Sequence, residues 1–278
     1  MKLFIFLLAL ISFSSAAAAS GTASVTELTI SSNGSRMPGL IYQAAGDGPH
    51  PTAIILHGYP GNERSLDVAQ SLRAKGWNTV YFNYRGAWGA EGEFSFINSE
   101  QDVTAVINYL SDDENAKNLR VDPSKLSLVG HSMGGHMAIS GILDNSSVSC
   151  AIAYDGANVA LLFDDQEFSE TWQSYSDSLF MLKGWSGVKA LNEIKTNRAK
   201  LNLLNRAKKL GKRSVLLIPA DTEVIPIDSH IEPLFKALKQ NEGALVKWKL
   251  IDDDHSFSNS RDELIAHTYA FLDEHCAN

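Results

Sequence analysis

Residues 126–140 read LSLVGHSMGGHMAIS. A short apolar run enters this stretch and a segment of helical composition leaves it. Between them lie Gly130, Ser132, Gly134 and Gly135. Small residues at this density mark a tight turn, and the G-x-S-x-G pattern puts a serine at its tip. Three fixed positions match by chance on the order of 0.1 times in a chain of this size at average residue usage. Context decides the reading: a strand before, a helix after, and chemical partners elsewhere along the chain.

The context is a regular alternation. KLSLVG (125–130) reads as a strand and 133–143 as a helix. Upstream, TELTI and GLIYQ form an opening strand pair across the turn SSNGSRMP. TAIILHG (52–58) is a continuous apolar run, as in a strand buried on both faces. ERSLDVAQSLRAKG follows as a helix closed by Gly76, and NTVYFNY (78–84) is the next strand. In 99–110, Val103, Val106, Ile107 and Leu110 share one helical face, and Ser99 with Asp102 reads as its capping signal. Downstream, SCAIAY (149–154), SVLLIP (214–219) and ALVKWKLI (244–251) read as strands, with a helix over 231–240. A last helix opens on the capping box Ser260–Glu263. Strands alternating with helices predict an α/β fold with a mostly parallel sheet of about eight strands, covered on both faces. Residues 160–212 break the rhythm, since they look helical throughout, and they read as a cap inserted over the site. Six aromatics fall in its first half: Phe163, Phe168, Trp172, Tyr175, Phe180 and Trp185. They read either as the cap's own core or as the wall of an apolar acyl pocket.

The first 20 residues stand apart. Lys2, the apolar stretch Leu3–Phe13 and small residues near 16–20 make a secretory signal peptide, too short to span a membrane. The expected protein is therefore secreted or periplasmic, with one domain over 21–278 and no stable membrane anchor. Hydrophobic residues make up 44% of the chain and charged ones 20%, enough for one large core. A formal net charge of −8 argues against nucleic acid as a partner. Two cysteines are present, Cys150 in an apolar run and Cys276 two residues from the end. Export permits a bridge between them, but the simpler expectation is a buried free thiol and a frayed tail.

In such sheets the active site lies beyond the carboxyl ends of the strands. A serine there needs a base, and His255 in IDDDHSFS is the histidine on a loop after the last strand. An acid orienting that imidazole is expected between the two in the chain. Asp221, directly past SVLLIPA, is the favoured residue, with Glu223 and Asp155 as alternatives. Oxyanion donors are expected from the N–H of Met133, after the serine, and from the loop HGYPG. Pro60 has no N–H, which leaves Tyr59 as the second donor. No histidine–carboxylate group has ligand spacing, so no metal and no cofactor is expected.

LHGYPGN, FNYRGAWGAEGEFSF, VGHSMGGHMA, LLIPADTEVIP and DDHSFSNSR together resemble an α/β-hydrolase over nearly the whole mature chain. The tryptophan–glycine segment is similar to that of bacterial serine hydrolases of the prolyl oligopeptidase and dienelactone hydrolase branches. The resemblance implies a Ser132–His255 pair with Tyr59 and Met133 as oxyanion donors. It is weakest at the acid, where the spacing from Asp221 to Pro226 is one residue longer than usual. The expected function is an exported serine esterase acting through an acyl-enzyme on a small-molecule ester. A peptidase or aminopeptidase acting on a short peptide is the alternative, and a non-catalytic binding relative is the third reading. About thirty residues between leader and TAIILHG leave no room for a peptide-filtering domain, which favours the ester.

Overall fold

A computed structural model describes residues 21–164, 166–222 and 224–277, without the side chains of 166–168. The expected signal peptide, Glu223 and the ring of Phe168 lie outside the described residues. Eight strands form one sheet in the order β1-β2-β4-β3-β5-β6-β7-β8. The edge strands β1 (Ser24–Ser32) and β2 (Ser35–Gln43) are antiparallel, and β2 joins β4 (Asn78–Phe82) antiparallel. From β4 onward β3 (His50–Leu56), β5 (Val121–His131), β6 (Val148–Tyr154), β7 (Ser214–Ile218) and β8 (Leu245–Trp248) run parallel.

Burial follows sequence pattern. Along β1 buried residues alternate with exposed ones only in the second half, as on an edge. The last five residues of β3 and all of β4 are buried, because both faces are covered. Ile54, Leu128 and Leu217 face a core shared with α2 (Phe96–Ser111), α4 (Met133–Asp144) and α7 (Glu232–Leu238). Ile55, Val129 and Ile218 face the other core, with α1 (Leu66–Ala74) and α8 (Arg261–His275). The short helix α3 (Asp113–Leu119) adds Ala116 and Leu119 to the first core. The inserted cap contains α5 (Gln166–Asp177) and α6 (Gly187–Leu201) with short 3₁₀ turns around them. No helix among the described residues is long and apolar enough to cross a membrane.

Three local expectations change. Helix α2 starts a turn early: Ser95 is its cap, accepting from the Asn98 N–H at 3.0 Å, while Ser99 lies inside the helix. Asp102 is not a capping residue but the buried partner of Arg85, with an Nε–Oδ1 distance of 2.5 Å. Ser260 precedes α8 without a side-chain capping bond. The cysteines form a disulfide, Cys150–Cys276, with Cα atoms 5.8 Å apart. The tail is not frayed there because Cys276 continues the buried stripe of Leu264, Thr268 and Leu272 at helical spacing.

Candidate active site

Strand β5 ends at His131, and the chain reverses at Ser132 into α4. Ser132 has φ 58° and ψ −120°, a left-handed backbone that costs a non-glycine residue about 1–3 kcal/mol. The surroundings hold it there. Its N–H donates to the Tyr154 carbonyl at 2.9 Å, and its carbonyl accepts from Gly135 at 3.0 Å and Ala157 at 3.2 Å. The turn closes only with glycines: a Cβ on Gly130 would sit 1.9 Å from the Gly134 carbonyl oxygen, and one on Gly134 2.0 Å from that of Leu56. Met133 opens α4, so its N–H has no acceptor one turn back within the helix.

His255 sits on the loop after β8. The acidic run before it folds that loop. Asp254 accepts from the N–H groups of Ser256 at 2.9 Å and Ser258 at 3.0 Å, and Asp253 accepts from that of Asn259 at 2.9 Å. Arg261, paired with Asp67, donates to the Ser256 carbonyl at 3.0 Å. From the other side the His131 ring donates through Nε2 to the His255 carbonyl at 2.6 Å. Burial, reinforced by the neighbouring His255, pushes the His131 pKa down to about 3. It is therefore a neutral neighbour to His255.

The structure puts Asp155, and not the expected Asp221, beside His255. The carboxylate that accepts from His255 Nδ1 belongs to Asp155, at 2.5 Å to Oδ2. Asp155 follows β6 directly, is fully buried, and receives two further donors from the end of β7: Ala220 N–H at 3.1 Å and Thr222 Oγ1 at 3.4 Å. Asp221 lies between those two donors, and its side chain is exposed. The path of the bend after β7 leaves the Asp221 carboxylate in solvent while the Ala220 N–H and Thr222 hydroxyl turn to Asp155.

Ser132, His131, His255, Tyr59 and Tyr175 line one cleft of about 160 Å³, with Asn62, Glu63 and Ser256 at its polar side. The loop 57–62 is braced by His57, whose Nδ1 donates to the Gly58 carbonyl at 2.9 Å and whose ring packs on Tyr84 at 4.5 Å. Burial lowers its pKa to about 4. Trp88 donates from its indole to the Pro60 carbonyl at 2.8 Å. Of the cap aromatics described, Tyr175 alone lines the cleft; Phe163, Trp172 and Trp185 pack against the core, and Phe180 is 91% exposed. Of the two readings of these aromatics, packing accounts for Phe163, Trp172 and Trp185, which lie against the main core, and the pocket wall for Tyr175. Among the described residues no group of three metal-ligating side chains comes together. Sequence reasoning passed over His131, inside the quoted motif, although a histidine beside the serine is a visible signal.

A family model described as BD-FAE matches residues 40–221. No curated protein sequence matches the chain. Among solved structures, the acylaminoacyl peptidase of Pyrococcus horikoshii superposes with a TM-score of 0.69 at 19% identity, over 92% of this chain and 42% of that one. This chain therefore spans less than half the length of that peptidase. An esterase of Pyrococcus furiosus gives 0.67 at 16% identity, over 91% and 93% of the two chains. Est1E of Butyrivibrio proteoclasticus, solved with ferulic acid bound, gives 0.68 at 18% identity, over 90% and 100%. At these identities the likeness is one of fold, the α/β-hydrolase fold.

Proposed function

The chain belongs to the BD-FAE family of α/β-hydrolases, and from that premise we propose that it is an exported serine hydrolase cleaving small carboxylic esters. The observation that carries this reading is the 2.5 Å bond between His255 and buried Asp155 at the cleft that exposes strained Ser132. In the proposed reaction Ser132 Oγ attacks the ester carbonyl and His255 Nε2 takes its proton. Asp155 holds the imidazole with Nδ1 protonated and stabilises the imidazolium. The Tyr59 and Met133 N–H groups receive the oxyanion. His255 then returns the proton to the leaving alcohol, and water, activated by the same imidazole, releases the acid from Ser132.

The size of the cleft and its polar side favour short acyl groups over long ones. Export is supported by the leader-like first 20 residues and by the disulfide, which persists in an oxidising compartment. The test is labelling by a fluorophosphonate probe with hydrolysis of p-nitrophenyl acetate, butyrate and octanoate. Methyl ferulate is added to the set because of the ligand in Est1E. Labelling of the wild type and not of Ser132→Ala, with kcat/KM falling from butyrate to octanoate, is the expected result. A wild type that neither labels nor turns over any ester would end the hydrolase reading.

A further inference from the structure

The hydroxyl of Tyr59 is bonded into the cap. It donates to Ser176 Oγ at 2.7 Å and accepts from the Trp185 indole N–H at 2.7 Å. Ser176 passes the chain on to the Trp172 carbonyl at 2.7 Å. Ser176 and Trp172 belong to α5, and Trp185 to the segment before α6, so both partners of the Tyr59 hydroxyl lie in the cap. The ring of Tyr59 sits among Phe94, Phe96, Trp172 and Tyr175, with centroids 5.6 to 6.2 Å away. Burial raises its pKa to about 12, so it remains a neutral donor. One residue thus offers its backbone to the cleft and its side chain to the cap.

We propose that the Tyr59 hydroxyl is the tie through which the cap fixes the oxyanion loop, making Ser176 and Trp185 positioning residues for the reaction. This rests on the hydrolase reading above. The rest of the architecture isolates the tie. The cap is fastened independently by backbone bonds, Trp88 N–H to Met181, Lys183 N–H to Gly86 and Phe94 N–H to Lys183, at 2.7 to 3.0 Å. Asp177 also receives the Gly187 N–H at 2.8 Å, which joins α5 to α6. Cutting the bonds at Tyr59 therefore leaves the cap attached but frees the loop on one side. On the other side that loop is held by Trp88 at the Pro60 carbonyl. Oxyanion donors act only where the charge develops, so a loosened donor slows the chemical step while leaving the ground-state complex almost unchanged. A cap that merely walled the substrate would instead change KM.

The experiment uses Tyr59→Phe, Ser176→Ala and Trp185→Phe, each removing polar atoms and keeping most of the packing. Trp185→Phe retains the edge contacts with Phe94 and Phe96, at 5.1 and 5.2 Å. Active sites are counted with the fluorophosphonate, so that poorly folded protein does not enter kcat. The readouts are kcat, KM for a short ester, and Ki for an aryl trifluoromethyl ketone, whose hemiketal places an oxyanion in the hole. Each variant is expected to lose about tenfold in kcat, a part of the hundredfold or more lost with a donor outright. KM stays within about twofold and Ki rises with the loss in kcat, as a transition-state contact requires. The double variant Tyr59→Phe/Trp185→Phe is expected to be no worse than Tyr59→Phe alone, because both cut one tie. Unchanged kcat per titrated site in Ser176→Ala and Trp185→Phe would overturn the proposal, as would a loss carried by KM. A wild type that fails to label with the fluorophosphonate would instead remove the hydrolase reading beneath it.

Discussion

β6 and β7 are neighbours, run parallel, and each is followed by an aspartate within three residues. Asp155, past β6, is fully buried and holds His255; Asp221, past β7, is exposed. The end of β7 supplies donors rather than the acceptor. The Ala220 N–H and the Thr222 hydroxyl both turn toward Asp155, and the Asp155 N–H reaches back to the Ile218 carbonyl at 2.8 Å. Position after a strand is therefore not enough to make an orienting acid. A carboxylate beside an imidazole must also be kept charged out of water, which takes converging donors. The sharpest way to break this comparison is Asp155→Asn. It should keep the fold and lower kcat by about 10⁴, because the amide favours the wrong imidazole tautomer. Ester kinetics with active-site titration measure it, and retention of more than a tenth of kcat would mean β6 does not carry the acid.

The fold was legible because its signals are local and redundant. The long apolar runs of β3 to β7 and the glycines around Ser132 each have one good interpretation. So has His255, the loop histidine after the last strand. The acid had two. YDG after β6 and ADTE after β7 are equivalent in sequence, and the place of Asp221 directly past its strand tilted the choice to it. What separates them is which side of the chain faces in at 220–222, a matter of loop path that no periodicity encodes. The odd spacing from Asp221 to Pro226 was the one hint that β7 departs from the usual arrangement. The disulfide was half legible. Cys276 stands four residues beyond Leu272 on the buried stripe of α8, yet its closeness to the chain end suggested fraying.

That disulfide sharpens the contrast in stability, since it ties β6, and not β7, to the end of α8. It joins residues 126 apart. A cross-link over so long a loop contributes about 3–5 kcal/mol by restricting the unfolded chain. Replacing both cysteines by serine should lower the free energy of unfolding by that amount, read from urea titrations, and leave kcat per titrated site unchanged. A difference below about 1 kcal/mol would show that packing alone fixes α8 on the sheet.

A third distinction is electrostatic. Beyond Asp155 the chain is fastened by two buried imidazoles accepting from successive amides: His230 from Asn158 at 3.0 Å and His136 from Val159 at 3.3 Å. His136 passes its other nitrogen to Glu100 at 3.3 Å. Burial lowers the pKa of His230 to about 4 and also lowers that of His136. With His57 at about 4 and His131 at about 3, three histidines, His57, His131 and His230, stay neutral well below pH 6.5 in the folded protein. Their folded pKa values lie below the unfolded value, so in that window the unfolded chain binds more protons. Stability is then full above about pH 6.5 and falls as the pH drops toward 4, by up to about 1.4 kcal/mol per pH unit for each histidine. Urea midpoints from pH 7.5 to 4.5 test the sign. A profile flat through this range would mean that these histidines titrate in the folded protein as they do in the unfolded chain, and the fastening of the β6 end would have to be redrawn.

The smallest expected effect is the one that completes the comparison. Asp221→Asn removes a charge from an exposed side chain that shares a short turn with both donors to Asp155. Surface substitutions of this kind change stability by less than about 0.5 kcal/mol. The charge itself faces water, where a partner several ångströms away feels well under 1 kcal/mol after screening. The change in kcat should accordingly stay within about twofold, and the pH profile of kcat/KM should not move. The value of the variant lies in its pairing with Asp155→Asn. If Asp221→Asn were the crippled enzyme and Asp155→Asn the active one, the chain after β7 would have to refold around the substrate and bring Asp221 to His255 in place of Asp155. Measured on the same ester at the same pH, the pair of variants separates a fixed acid on β6 from a mobile one on β7.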